Sequence, residues 1–150
     1  MISQNDLENA VSGKKLLIDT NIIIYLTEGV EPYADLSRIL FELVENGQAT
    51  ALFSIISIAE VMQGPLRRGL VKNAMEVKEY LLNFPNASCQ EINGEVLDQI
   101  GRGGRIKWSK LRMVDSLIIA SGLINEVELF ISNDTHFLEA IPEKWIISFL

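Results

Sequence analysis

Short apolar runs alternate along this chain with stretches of helical periodicity, and that alternation leaves few folds open to it. LLID (16–19), TALFS (50–54), ASCQEI (87–92), ELFIS (128–132) and WIISF (145–149) read as strands. Strands separated by helices predict a parallel sheet covered on both faces. The fold class is therefore α/β, a three-layer α/β/α domain.

Local signals place the helices. Thr20-Asn21 can cap a helix beginning with IIIYL, and Pro32 opens another with Leu36, Ile39, Leu40 and Leu43 in helical register before Gly47. Ser54 can cap a helix through Met62 that ends at Gly64-Pro65, and a further helix covers 69–83. Two more are expected over 94–107 and 110–124, and Asn133-Asp134 opens a short one through Leu138. Ser3 with Asp6 forms a capping-box pattern and Gly13 a stop, so residues 1–15 read as a helical appendage on a single 1–150 domain.

Composition removes several classes. Hydrophobic residues make up 48% of the chain, enough for a well-filled core. No apolar run approaches the roughly 20 residues that span a bilayer. The opening MISQNDLENAVSGKK has early acids and no apolar h-region, so it does not read as a secretory signal, and a cytoplasmic protein without a membrane partner is expected. Cys89 is the only cysteine, which excludes an internal disulfide and makes it a small strand residue.

Four acids draw interest once the elements are in place. Ligands of open parallel sheets bind beyond the carboxyl ends of the strands. Asp19 ends the first strand, and Asp134 lies two residues past the fourth, at a helix start. Glu60 sits on the helix leaving the second strand, on a face with Ile56 and Gln63. Asp115 lies early on its helix, on an apolar stripe with Ile118, Ile119 and Gly122, where an uncompensated acid is costly. Singly, Asp19 and Asp134 read as helix caps, Asp115 as an acid favoured by a helix dipole, and Glu60 as a partly exposed polar residue. Together, if the first strand is central, they meet at one sheet edge. Clustered carboxylates repel unless a cation offsets them, and oxygen-only ligands suit Mg²⁺ or Mn²⁺.

The charge balance pulls the other way. A net charge of −7 argues against a general nucleic-acid binder. Yet the cations cluster: Arg102, Arg105, Lys107, Lys110 and Arg112 fall within eleven residues free of acids, and Arg67-Arg68 and Lys14-Lys15 form smaller patches. The 102–112 segment reads equally as an RNA-backbone contact or a solvated helix face. Trp108 reads as packed between helices, and His136, the only histidine, as a helix-surface residue.

Three segments carry a family resemblance. LLIDTNIIIYL resembles the opening motif of PIN domains, FSIISIAEVMQGPLRRG their second motif, and LRMVDSLIIASGLINEVELFISNDTHF their paired third and fourth motifs. The phrasings SIAEVMQG and VDSLIIASG look closest to VapC-type toxins of toxin–antitoxin pairs. The resemblance implies a five-stranded parallel sheet with the first strand central. It makes Asp19, Glu60, Asp115 and Asp134 the metal-binding and catalytic acids, and Thr20, Asn21 and Ser132 supporting polar residues. It also implies endonucleolytic cleavage of RNA with Mg²⁺ or Mn²⁺, a cognate antitoxin that occludes the pocket, and a homodimer. The helix before Leu16 is longer than the minimal family pattern.

The remaining readings are a PIN-like binding module without catalysis and a housekeeping RNA-processing nuclease. An aspartyl-phosphate phosphatase would want a second Asp where Asn21 stands. A receiver domain would want adjacent acids near the first strand, and neither a P-loop nor a dinucleotide-binding motif is present.

Overall fold

The computed structural model describes residues 1–102 and 104–150. Five parallel strands form one sheet in the order β3-β2-β1-β4-β5. They are β1 (Lys15–Ile18), β2 (Thr50–Ser54), β3 (Ala87–Gln90), β4 (Leu129–Ile131) and β5 (Ile146–Ile147). The helices are α1 (Gln4–Val11), α2 (Thr20–Thr27), α3 (Ala34–Glu45), α4 (Ile55–Arg67), α5 (Val71–Leu82), α6 (Gly94–Leu97), α7 (Met113–Ile124) and α8 (Thr135–Ala140). β1 is central, as the resemblance implies, and the chain is a five-stranded PIN-like α/β fold with an added N-terminal helix.

Strand alternation divides the core into two layers. Leu16, Ile18, Ala51, Phe53, Leu129 and Ile131 face a cluster that includes Leu40, Phe41 and Val44 of α3, with Leu7 and Val11 of α1. Leu17, Leu52 and Phe130 face the opposite cluster, with Ile118 and Ile119 of α7 and Phe137 of α8. α1 is therefore part of the first layer, capped by Ser3 through the Asp6 backbone N–H at 3.1 Å. Among the described residues, no helix is long and apolar enough to cross a membrane.

Several boundaries differ from the sequence reading. β1 ends at Ile18, so Asp19 is not a strand residue; its own carboxylate caps α2, the role expected of Thr20-Asn21. α4 does not stop at Gly64-Pro65 but runs to Arg67 with Pro65 inside it. A proline there removes one hydrogen bond near the helix end, and the buried ring offsets part of that loss by packing. Gly64 lies under the Glu28 side chain: a Cβ would lie 2.6 Å from Glu28 Oε1, the end of a side chain that can swing aside.

The expected 94–107 helix is one turn, Gly94–Leu97, followed by turns; residue 103 of that reading lies outside the described residues. Gly101 takes φ +89°, which an α-helix does not accept. The 110–124 helix begins only at Met113, after a short 3₁₀ turn at Trp108–Lys110. β3, β4 and β5 are all shorter than read, at Ala87–Gln90, Leu129–Ile131 and Ile146–Ile147.

α7 lies close on the sheet at Gly122. A Cβ there would meet Phe130 Cε1 at 2.7 Å and Leu17 Cδ1 at 3.1 Å. Gly122→Ala gains up to about 1 kcal/mol of helix propensity but overpacks a filled core, at a cost of about 1–3 kcal/mol. A net loss of stability is expected, read as a lower denaturant midpoint at unchanged m-value.

Candidate active site

Three helices begin where the strands end, and each brings an acid. Asp19 caps α2, Asp134 caps α8 through the His136 backbone N–H at 2.7 Å, and Asp115 lies in the first turn of α7. Helix N-termini favour negative charge, so these positions lower the cost of gathering anions. Glu60 comes from the middle of α4, on the turn after Ser57.

Asp19 is the buried centre, at 3% exposure. Its backbone N–H extends the β1–β4 ladder to Ile131 O at 3.0 Å, which sets it beside Ser132. Its carboxylate accepts from Thr20 N at 2.7 Å, Asn21 Nδ2 at 2.9 Å and Ser132 Oγ at 2.6 Å. Ser132 Oγ in turn accepts from the Asp134 backbone N–H at 3.0 Å, and Asn21 Oδ1 from Asn133 N at 3.0 Å. Thr20 Oγ1 donates to Glu60 at 2.7 Å and lies 3.0 Å from Ser57 Oγ. Thr20, Asn21 and Ser132 thus support the acids by holding them.

Asp115, also 3% exposed, is gripped by Arg112. The guanidinium Nε donates to Asp115 Oδ2 at 3.0 Å and Nη2 to Oδ1 at 3.4 Å. Nη2 also stands 3.7 Å from Asp134 Oδ2. Each of the four acids is therefore linked to another through a single residue. Arg112 bridges the Asp115 and Asp134 carboxylates, and Thr20 joins Asp19 to Glu60 through its N–H and Oγ1. Ser132 joins the Asp19 carboxylate to the Asp134 backbone N–H.

Electrostatics follows this arrangement. Burial pushes the Asp19 carboxyl up from 3.8 to about 7, against the lowering effect of the Ser132 and Thr20 hydrogen bonds. The negative charges of Asp134 and Glu60 push in the same direction as burial. Hydrogen bonding to Asp115, and its charge, hold the Arg112 guanidinium still more firmly protonated, with Asp134 and Glu60 adding to the effect.

The acids are all oxygen donors, which suits a hard divalent cation, and among the described residues no cation pairs with the buried Asp19. Among the described residues, however, no three Asp, Glu, His or Cys side chains are grouped tightly enough to be a preformed ion cage.

The basic residues divide. An open groove of about 500 Å³ runs from Thr20 and Glu60 along α4 to Arg67 and Arg68. Arg67 is exposed there, but Arg68 is paired with Glu28 at 3.2 Å, so its charge is partly spent within the protein. Arg102, Arg105, Lys107 and Lys110 are exposed on a segment of turns, not on a helix face. Arg112, expected on the same strip, belongs to the acid cluster. Trp108 packs against the second core layer and donates through Nε1 to Arg102 O at 2.7 Å. His136 Nδ1 stands 3.2 Å from Asp134 Oδ1, nearer the acids than a surface reading implied.

Sequence reasoning missed Ser57, Asn133 and Glu28. Ser57 had a signal: a small polar residue three before Glu60 on an otherwise apolar helix. Asn133 accepts from Phe149 N at 2.7 Å and Ser148 Oγ at 2.9 Å and donates to Tyr25 OH at 3.2 Å, tying the chain end to the site. No local pattern announces such long-range partners.

Comparison with known proteins gives the same architecture. The sequence profile of the PIN domain matches residues 16–142. DNA-bound VapBC from Salmonella typhimurium is similar in structure, with TM-score 0.66 and 16% identity over 91% of this chain and 99% of the other. VapBC-1 from nontypeable Haemophilus influenzae gives 0.62 and 20% over 89% and 97%. VapC20 from Mycobacterium tuberculosis, a Sarcin-Ricin loop cleaving toxin, gives 0.60 and 13% over 83% and 93%. No curated protein matches the sequence. At these identities the structural likeness is one of fold; joined to a profile match over most of the chain and the ordered acids, it means that the chain belongs to the PIN domain family.

Proposed function

We propose that this PIN-domain protein, acting as one domain over residues 1–150, is a metal-dependent endoribonuclease and the toxin of a toxin–antitoxin pair. The observation that carries the reading is the linkage of Asp19, Glu60, Asp115 and Asp134 through Ser132, Thr20 and Arg112 at the carboxyl end of the sheet. The similar VapBC and VapC folds support the toxin assignment and an antitoxin partner, and the reading includes a cytoplasmic setting and a homodimer.

Asp19, Asp115 and Asp134, with Glu60 beside them, would hold Mg²⁺ or Mn²⁺. Such an ion supplies a bound water of lowered pKa and neutralises charge on a phosphodiester. The chain's own residues set the rest. Ser132, Asn21 and the Thr20 N–H aim the Asp19 oxygens, and Thr20 Oγ1 fixes Glu60 where it can orient the water. The reaction forms a bond from water oxygen to phosphorus as the bond to the 3′ oxygen breaks. The products are a 5′ phosphate and a 3′ hydroxyl.

RNA would be held by Arg67 in the groove along α4, with Arg68 a weaker contributor because of Glu28. Arg102, Arg105, Lys107 and Lys110 would supply backbone contacts on the other side, and Arg112 reaches the acids themselves. Arg67→Gln is expected to weaken RNA binding across sequences and to lower the salt slope by about one phosphate contact, read by binding titrations at several ionic strengths.

The direct test is cleavage of single-stranded and structured RNA by protein freed of any partner, with Mn²⁺ and then with excess chelator. Cleavage that needs the metal supports the reading. No cleavage of any RNA at millimolar Mn²⁺ would favour a non-catalytic PIN-like module. An adjacent gene for a DNA-binding antitoxin would separate a toxin from a housekeeping nuclease.

A further inference from the structure

Arg112 was expected on a basic strip facing RNA, yet its guanidinium forks onto Asp115 through Nε and Nη2 at 3.0 and 3.4 Å. It also reaches to 3.7 Å from Asp134. The oxygens it engages are those that the proposed function assigns to a divalent cation. A divalent cation beside a guanidinium is repelled by it, so the two compete for one set of lone pairs.

Arg112 is placed for exchange more than for permanent structure. Its side chain is 66% exposed, whereas that of Asp115 is 5% exposed, so the arginine can leave while the acid stays fixed. Together with Glu60, Met113 and Val114 it lines an open groove of about 280 Å³ on the flank of the acids, which gives the guanidinium somewhere to go. The helix does not depend on that side chain. The Arg112 backbone N–H donates to Asp115 Oδ2 at 3.3 Å, and this contact survives any substitution but proline.

We propose that Arg112 is a built-in counter-cation of the acid site: it balances Asp115 and Asp134 until a divalent cation displaces it, and it then turns toward the substrate phosphate. A displaced guanidinium keeps its fork of donors, which matches a phosphate as well as a carboxylate. This inference rests on the metal-dependent reading of the site. It adds that the chain carries its own competitor for the metal.

The test is calorimetric titration of the full chain with Mn²⁺ at fixed pH and salt. Arg112→Gln should bind Mn²⁺ about tenfold more tightly than wild type, since a charge-assisted pair no longer has to be broken. Arg112→Lys, which keeps the charge but loses the fork, should fall between them and carries the test if the glutamine variant does not fold. Lys110→Gln removes the same charge from the strip and should change the affinity less than about twofold.

For a single-stranded RNA oligonucleotide with Mn²⁺ saturating, Arg112→Gln should lower kcat/KM despite its tighter metal. Unchanged or weaker Mn²⁺ binding in both Arg112 variants, with wild type binding normally, overturns the counter-cation role and leaves the nuclease reading intact. Tighter Mn²⁺ binding with undiminished kcat/KM overturns the turn toward phosphate. If neither wild type nor variant binds Mn²⁺, the metal-dependent reading itself fails, and this inference with it.

Discussion

Asp19→Asn is expected to reduce metal-dependent RNA cleavage by about a thousandfold or more while leaving the fold intact. The substitution removes one negative charge from the buried centre of the site and gives up the 2.9 Å bond from Asn21 Nδ2, which cannot donate to an amide nitrogen. Asn caps helices as well as Asp, so the 2.7 Å bond from the Thr20 backbone N–H survives. Ser132 Oγ, which donates to Asp19 at 2.6 Å, can instead accept from the new amide. Single-turnover cleavage at saturating Mn²⁺, with circular dichroism to verify folding, measures the effect. A folded variant that retains more than about a tenth of wild-type activity would remove Asp19 from the catalytic set.

The same residue governs the second large effect, the pH dependence of stability without metal. The folded-state value of about 7 lies above the ordinary 3.8, so the folded chain binds this proton more tightly than the unfolded chain. The resulting stabilisation is complete below about pH 3.8 and is lost as pH rises through 7. Its full size is up to about 4 kcal/mol. Other groups titrate over this range, so the informative quantity is a difference. The stability of Asp19→Asn minus that of wild type should grow by about 2–4 kcal/mol between pH 4 and pH 8.

Adding Mn²⁺ at pH 8 should shrink that difference, because an ion bound only by the folded wild type stabilises it by mass action. At a hundred times Kd the gain is about 2.7 kcal/mol. Denaturant titrations of both proteins, with and without Mn²⁺, read all of these terms. Parallel pH curves for the two proteins would mean that Asp19 holds its charge as easily in the fold as in water.

Much of this fold is written locally. The runs LLID, TALFS and ELFIS are buried at their apolar centres, 16–18, 51–53 and 129–131, and a period of two then places alternate residues in the two core layers. Ser3, Ser54 and Asp134 cap their helices as their positions announce. Boundaries fail where local rules conflict. Gly64-Pro65 is a helix stop by propensity, but the packing of α4 overrides it. The 94–107 stretch has helical residues, but Gly101 and its neighbours break it.

The site divides along the same line. Asp19 and Asp134 are legible as acids at strand ends, and Asp115 as an acid on a stripe with Ile118, Ile119 and Gly122. Glu60 carries no local mark, and neither Glu28's hold on Arg68 nor Asn133's tie to the chain end can be read from spacing. Arg112 is the clearest case. In the sequence it is the last member of a basic strip, whereas in the fold its nearest groups are anions.

The sequence by itself determined that this chain is an α/β protein, and the order of its motifs pointed to a PIN domain, because burial periodicity and helix caps are local properties. Only the tertiary structure decided what the four acids are to one another. Their separation in the chain is closed by β1 taking the central place between β2 and β4. That placement depends on both core layers packing at once, and no window of sequence contains it.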